Sequence, residues 1–218
     1  MSEHPATAAL DPRLRVLLIT PDDMDADTLI DRTEAALRGG IRAVQLRRKQ
    51  GPGAGGRALF SLACSLRDLT RKHGALLFLN GRVDIALAVE ADGVHCGARE
   101  LPLCAVRDLF PEALLGYSAH AGEEVADTTE ADFVTMSPVF ASPGKAAHLG
   151  VEGLTAAMGN LPRSLPVLAL GGVDEEHLPS LAGSGAAGVA VIRAIYEASD
   201  PKAAASRMVG FMQETWHA

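Results

Sequence analysis

The feature that most constrains this chain is an alternation repeated along its whole length. Short apolar runs return eight times, at 15–20 (RVLLIT), 41–47 (IRAVQLR), 75–80 (ALLFLN), 92–96 (DGVHC), 114–118 (LLGYS), 132–139 (DFVTMSPV), 165–172 (LPVLALGG) and 187–194 (AGVAVIRA). Between them lie stretches of helical pattern. DADTLIDRTEAALRGG, for example, reads as a helix with an Asp cap and a Gly-Gly stop. The runs are almost continuously apolar, as expected of parallel strands covered on both faces. Regular βα alternation leaves two architectures, an open doubly wound sheet or a closed barrel. Eight repeats within 218 residues favour closure, and the first turn, ITPDDM, lacks a glycine-rich dinucleotide fingerprint. The expected fold is α/β, a (β/α)8 TIM barrel forming a single domain over 13–218, preceded by a flexible tail at 1–12.

Composition narrows the function classes. The net charge is −7, and the basic residues are scattered apart from RAVQLRRK. Nucleic acid is therefore not an expected partner, because phosphate neutralisation supplies most of that affinity. The N-terminal stretch lacks the basic and apolar regions of a secretory signal. No apolar run approaches the ~20 residues a membrane span needs. A cytoplasmic protein with no membrane partner is expected. Cys64, Cys96 and Cys104 show no zinc or redox spacing and are expected as reduced, mostly buried thiols.

In such a barrel the chemistry sits where strands end. Those ends are polar and cationic here although the chain is acidic, which points to an anionic ligand. Gln45, Arg47 and Lys49 share one strand parity, and burying them facing a barrel interior is costly unless a polar or anionic group meets them. Arg47 suits bidentate phosphate recognition and Lys49 a point charge. Asn80 ends the third run and is followed by Gly81. Ser118 and His120 share a parity at the fifth, where His120 is a proton-transfer candidate. His95 reads as a structural or hydrogen-bonding wall. SPVFASPGK offers Ser142, Gly144 and Lys145 as a wrap for an anion. Gly171-Gly172 and Ile192-Arg193, after the seventh and eighth runs, fall where barrels bind phosphate through backbone N–H groups.

Taken together and in order, QLRRK, NGRVDIALAVEADGVHCG, GYSAH, ADFVTMSPVFASPGK, PVLALGGV and GAAGVAVIRAI resemble the thiamine phosphate synthase/TenI family over Arg15 to Pro201. The resemblance implies small phosphorylated thiamine precursors as ligands. It implies that Gln45, Arg47, Lys49, Asn80, Ser118 and Lys145 hold a pyrimidine diphosphate. Gly172 and Ile192-Arg193 would hold a thiazole phosphate. Lys49, Ser118 and His120 are the catalytic candidates. Related barrels can dimerise, so a homodimer is possible.

Three departures from the synthase pattern stand out. The synthase motif after strand three is Asn-Asp with a Mg2+-binding aspartate, where this chain has Asn80-Gly81. The motif after strand four, His-x-Gly-Gln-x-Asp, reads HCGARE, so Glu100 replaces the second metal ligand. The threonine pair before the lysine of the strand-six loop becomes Ser142 and Gly144. NGRVDIAL instead resembles TenI, a metal-free thiazole tautomerase. Yet Pro138 stands where TenI has a strand-six histidine, as in a synthase. Gly81 tilts the expectation toward the TenI-like tautomerase, with His120 moving the proton and no metal required. The alternative is a thiamine phosphate synthase in which Glu100, substrate phosphates and water hold Mg2+. A non-catalytic or regulatory barrel that binds a phosphorylated metabolite is a third reading.

Overall fold

The computed structural model describes residues 10–49, 53–120, 128–145, 147–162 and 164–216. Eight strands close into one parallel barrel in sequence order. They are β1 (Val16–Ile19), β2 (Ala43–Leu46), β3 (Leu76–Asn80), β4 (Gly93–Cys96), β5 (Leu114–His120), β6 (Phe133–Ser137), β7 (Val167–Leu170) and β8 (Gly188–Val191). The helices around them are α1 (Ala26–Arg38), α2 (Gly56–Lys72), α3 (Val83–Ala88), α4 (Leu103–Leu109), α5 (Gly150–Met158), α6 (Leu178–Leu181), α7 (Arg193–Tyr196) and α8 (Pro201–Thr215). The expected (β/α)8 TIM barrel in a single domain is the fold observed. Asp25 caps α1 by accepting the Thr28 N–H at 2.9 Å, and α1 stops at Gly39 with Gly40 left-handed. The helical segment expected before strand six, 122–131, lies largely outside the described residues.

Strand parity builds two separate cores. One parity points outward, and Leu18, Val44, Leu77, Leu79, Val94, Leu115, Val134 and Val189 pack beneath the helices. The other points inward, and Leu17, Ala43, Phe78, Phe133, Leu168 and Ala190 fill the barrel floor. This two-sided burial is why the runs are continuously apolar. Phe78 and Phe133 meet edge to face at 5.5 Å. They fit because the neighbouring inward positions are glycines. A Cβ on Gly93 would lie 2.4 Å from Phe78, and one on Gly116 would lie 2.5 Å from Phe133 and 2.4 Å from His95. Of the expected tail, residues 1–9 lie outside the described residues. Leu10 packs on the floor, and Asp11 caps the 3-10 turn Pro12–Arg15, whose Leu14 plugs the barrel.

Below the floor a single device appears twice. Asp92 accepts the Leu77 N–H of β3 at 2.8 Å and pairs with Arg67 of α2 at 2.6 Å. Asp132 accepts the Leu115 N–H of β5 at 2.7 Å and pairs with Arg107 of α4 at 3.1 Å. Each carboxylate thus supplies the acceptor that a strand start would otherwise lack, and ties a helix to the barrel. The three cysteines are free, but their burial differs from expectation. Cys96 is buried, Cys64 half-buried and Cys104 exposed on α4. Among the described residues no helix is long and apolar enough to cross a membrane.

Candidate active site

Above the aromatic layer the inward parity turns polar. Gln45 is 1% exposed at the end of β2. Its amide nitrogen donates to Asn80 Oδ1 on β3 at 3.1 Å, and its Oε1 is buried without a partner. Such an orphaned acceptor is expensive unless a ligand donates to it. His95 follows on β4, with Nε2 3.2 Å from the Thr135 hydroxyl of β6. Burial, helped by the nearby Lys49 charge, pushes its pKa down to about 3, so it stays neutral and acts as a wall. His120 ends β5, its Nδ1 3.1 Å from the Ser137 Oγ. Burial and the neighbouring Glu100 push the Cys96 thiol up to about 11, which removes it as a nucleophile.

These groups open into a cavity of about 630 Å³ at the C-terminal ends of the strands. Gln45, Arg47, Lys49, Asn80, Ser118 and His120 line it from β2 to β5. Glu100, Ser142, Lys145, Gly171 and Ile192 line it from the loops. Arg99, a cation that no sequence motif singles out, joins them. An adjoining cavity of about 790 Å³ shares Arg47, Ser142, Gly171 and Ile192, and adds Gly172, Arg193 and Asp22. Apart from Gly144, which lines neither, every site residue expected from the sequence borders one of these two adjoining spaces. Arg82, beside Asn80-Gly81, turns away to pair with Asp84 at 2.7 Å.

The glycine pair after β7 has a packing reason of its own. Gly171 and Gly172 are both left-handed, at φ +95° and +67°. A Cβ on Gly171 would lie 2.7 Å from Pro138, and one on Gly172 would lie 2.5 Å from the Ala141 carbonyl. The loop after β6 fills that space. Phe140 N–H donates to the Gly171 carbonyl at 2.8 Å, and the Phe140 ring stacks on His177 at 3.9 Å. The pair therefore serves to dock the loop that carries Ser142 and Lys145.

Gly81 is the most informative position. It too is left-handed, at φ +66°, and a Cβ there would lie 2.5 Å from Glu100 Cγ. The Glu100 side chain runs across the space a residue at 81 would fill. Its Oε2 accepts the Gly97 N–H at 2.8 Å, and its Oε1 lies 3.6 Å from Lys49 Nζ. Among the described residues, Glu100 is the only carboxylate lining this cavity, and no three His, Cys, Asp or Glu side chains gather as a metal cluster.

A family model described as thiamine monophosphate synthase matches residues 16–195. The chain belongs to the thiamine monophosphate synthase family. It is 38% identical over 205 residues to the thiamine-phosphate synthase of Vibrio campbellii, covering 91% of this chain and 98% of that one. It is 42% identical over 190 residues to a putative thiamine-phosphate synthase of Geobacter sulfurreducens, covering 84% and 87%. Among solved structures, the thiamine phosphate pyrophosphorylase of Pyrococcus furiosus superposes with a TM-score of 0.81 at 31% identity, covering 94% and 98%. Within this family frame, the cavity offers a divalent cation one carboxylate among the described residues. Mg2+ is commonly held by one or two carboxylates together with substrate phosphates. Glu100, lying in the slot that Gly81 leaves open, supplies one carboxylate beside the cations.

Proposed function

We propose that this chain is a thiamine-phosphate synthase, as its relatives are named, and that it joins a pyrimidine diphosphate to a thiazole phosphate with release of diphosphate, as the family resemblance implies. The observation that supports this over a metal-free tautomerase is the placement of Glu100 across Gly81 and beside Lys49. The carboxylate missing at 81 has a substitute that enters the same space from the loop after β4. The carbon–oxygen bond to diphosphate breaks with its electron pair leaving on oxygen, and the thiazole nitrogen lone pair closes the new carbon–nitrogen bond. Charge builds on the leaving diphosphate. Arg47, Lys49 and Lys145 are the cations placed to receive it, with the Ser118 and Ser142 hydroxyls beside them. Mg2+ carried by the diphosphate would be held by Glu100, phosphate oxygens and water, and would supply further positive charge to the leaving group. Gln45 Oε1 is the acceptor for an amino N–H carried as a substituent on the pyrimidine, since the aromatic ring nitrogens carry no hydrogen. Gly172 and the Ile192-Arg193 backbone are assigned to the thiazole phosphate in the adjoining cavity.

Purified protein given both substrates and Mg2+ is expected to form thiamine phosphate and diphosphate in equal amounts. Folded protein that forms neither would overturn the proposal. The tautomerase remains a second reading because His120 lines the same cavity. Under it, His120→Ala abolishes interconversion of the thiazole tautomers while thiazole phosphate still binds. Under the synthase reading, the wild-type chain does not interconvert them. A response in neither assay, with retained phosphate binding, would favour the non-catalytic barrel.

A further inference from the structure

The loop after β1 carries a carboxylate that the reaction chemistry does not account for. Asp22 Oδ2 lies 2.5 Å from Arg47 Nη1, and Asp22 Oδ1 accepts the Lys49 backbone N–H at 2.7 Å. The Asp22 carbonyl accepts from Arg48 Nη1 at 2.5 Å, and the same guanidinium nitrogen donates to the Met24 carbonyl at 2.7 Å. Three successive residues, 47 to 49, are thus held by one. Just below, the Thr20 hydroxyl donates to the Arg47 carbonyl and accepts the Arg47 N–H, both at 2.9 Å. The side chains that flank this contact divide by parity. Arg48 faces outward and is 8% exposed, so it serves as a buried strut. Arg47 and Lys49 face the cavity.

A long guanidinium side chain at a cavity mouth has several rotamers, and fixing one costs entropy at the moment of binding. Asp22 meets that cost in the folded protein. It orients the Arg47 fork at the junction of the two cavities, since Arg47 borders both. It also fixes the backbone from which Lys49 projects toward Glu100. We infer that Asp22 is a positioning residue for the diphosphate end of the site, acting through Arg47. This rests on the synthase reading above, in which Arg47 receives the diphosphate.

The test uses the full chain and inorganic pyrophosphate, titrated calorimetrically with Mg2+ present. Asp22→Asn keeps a neutral acceptor for the Lys49 N–H and loses the charge that holds Arg47. It is expected to weaken pyrophosphate binding about tenfold, the scale of one charge-assisted hydrogen bond. The decisive comparison is the same substitution in an Arg47→Ala background. Positioning through Arg47 predicts that Asp22→Asn then changes pyrophosphate affinity less than about twofold. A merely structural loosening would weaken binding equally in both backgrounds, and that result overturns the inference. Unchanged or tighter binding by the single variant also overturns it. In that case wild-type synthesis of thiamine phosphate would leave the functional reading standing. A wild-type chain that neither binds pyrophosphate nor makes product would overturn both.

Discussion

Restoring a side chain at position 81 gives the sharpest check on how this site is built. Consider Gly81→Asp. The backbone there has φ +66°, which costs a non-glycine residue about 1 kcal/mol, less for Asp than for most. The new Cβ would sit 2.5 Å from Glu100 Cγ, so one of the two must move. The Cγ is near the root of the Glu100 side chain, so relief requires a different Glu100 rotamer. That rotamer gives up the 2.8 Å bond from the Gly97 N–H and the approach to Lys49. A hydrogen bond to a charged group is worth about 1.5–3 kcal/mol. The single variant should therefore lose roughly 2–4 kcal/mol of stability. For a chain of this size that is roughly 5–15 °C in midpoint by calorimetry. Removing the obstacle should restore part of it. Glu100→Ala combined with Gly81→Asp is expected to be more stable than the sum of the two single losses, by about 1–2 kcal/mol. A Gly81→Asp loss below about 0.5 kcal/mol, or strict additivity in the double variant, would refute the idea that Glu100 occupies the place of a side chain at 81.

Two further expectations follow from the packing. His95 is neutral in the fold, with its pKa held near 3 by burial, whereas in the unfolded chain it protonates near 6.5. The unfolded state therefore binds the extra proton between those values, so stability falls as pH drops through that window, by up to about 1.4 kcal/mol per unit from this residue. Urea midpoints at pH 7 and pH 5 should differ less in His95→Asn than in wild type, and an identical pH slope would refute the assignment. At the other end of the barrel, Asp92→Asn loses the charge that pairs with Arg67, which is 13% exposed, and should cost about 2–3 kcal/mol. Glu90→Gln, at the exposed Arg71–Glu90 pair, should cost under about 0.5 kcal/mol. Equal losses in denaturant unfolding would show that burial does not set the difference.

Much of this was legible in the chain itself. Eight apolar runs with helical stretches between them call for a parallel sheet buried on both faces, and their number favoured the closed barrel observed. Strand parity put Gln45 inside the barrel and aimed Arg47 and Lys49 at the cavity mouth, since side chains alternate with period two. The order of motifs placed the chain in its family. Contacts between loops were beyond its reach, because they join residues that no local pattern relates. No local pattern in ITPDDM marks Asp22, yet it holds residues 25 to 27 positions away. Gly171-Gly172 suggested anion binding, and the fold adds that a Cβ at either position would strike the loop after β6. Gly81 read as a lost carboxylate and tilted the expectation toward a tautomerase. What fills that position only the tertiary structure decided, because the space an absent side chain leaves is available to any neighbour long enough to enter it, and here Glu100 does.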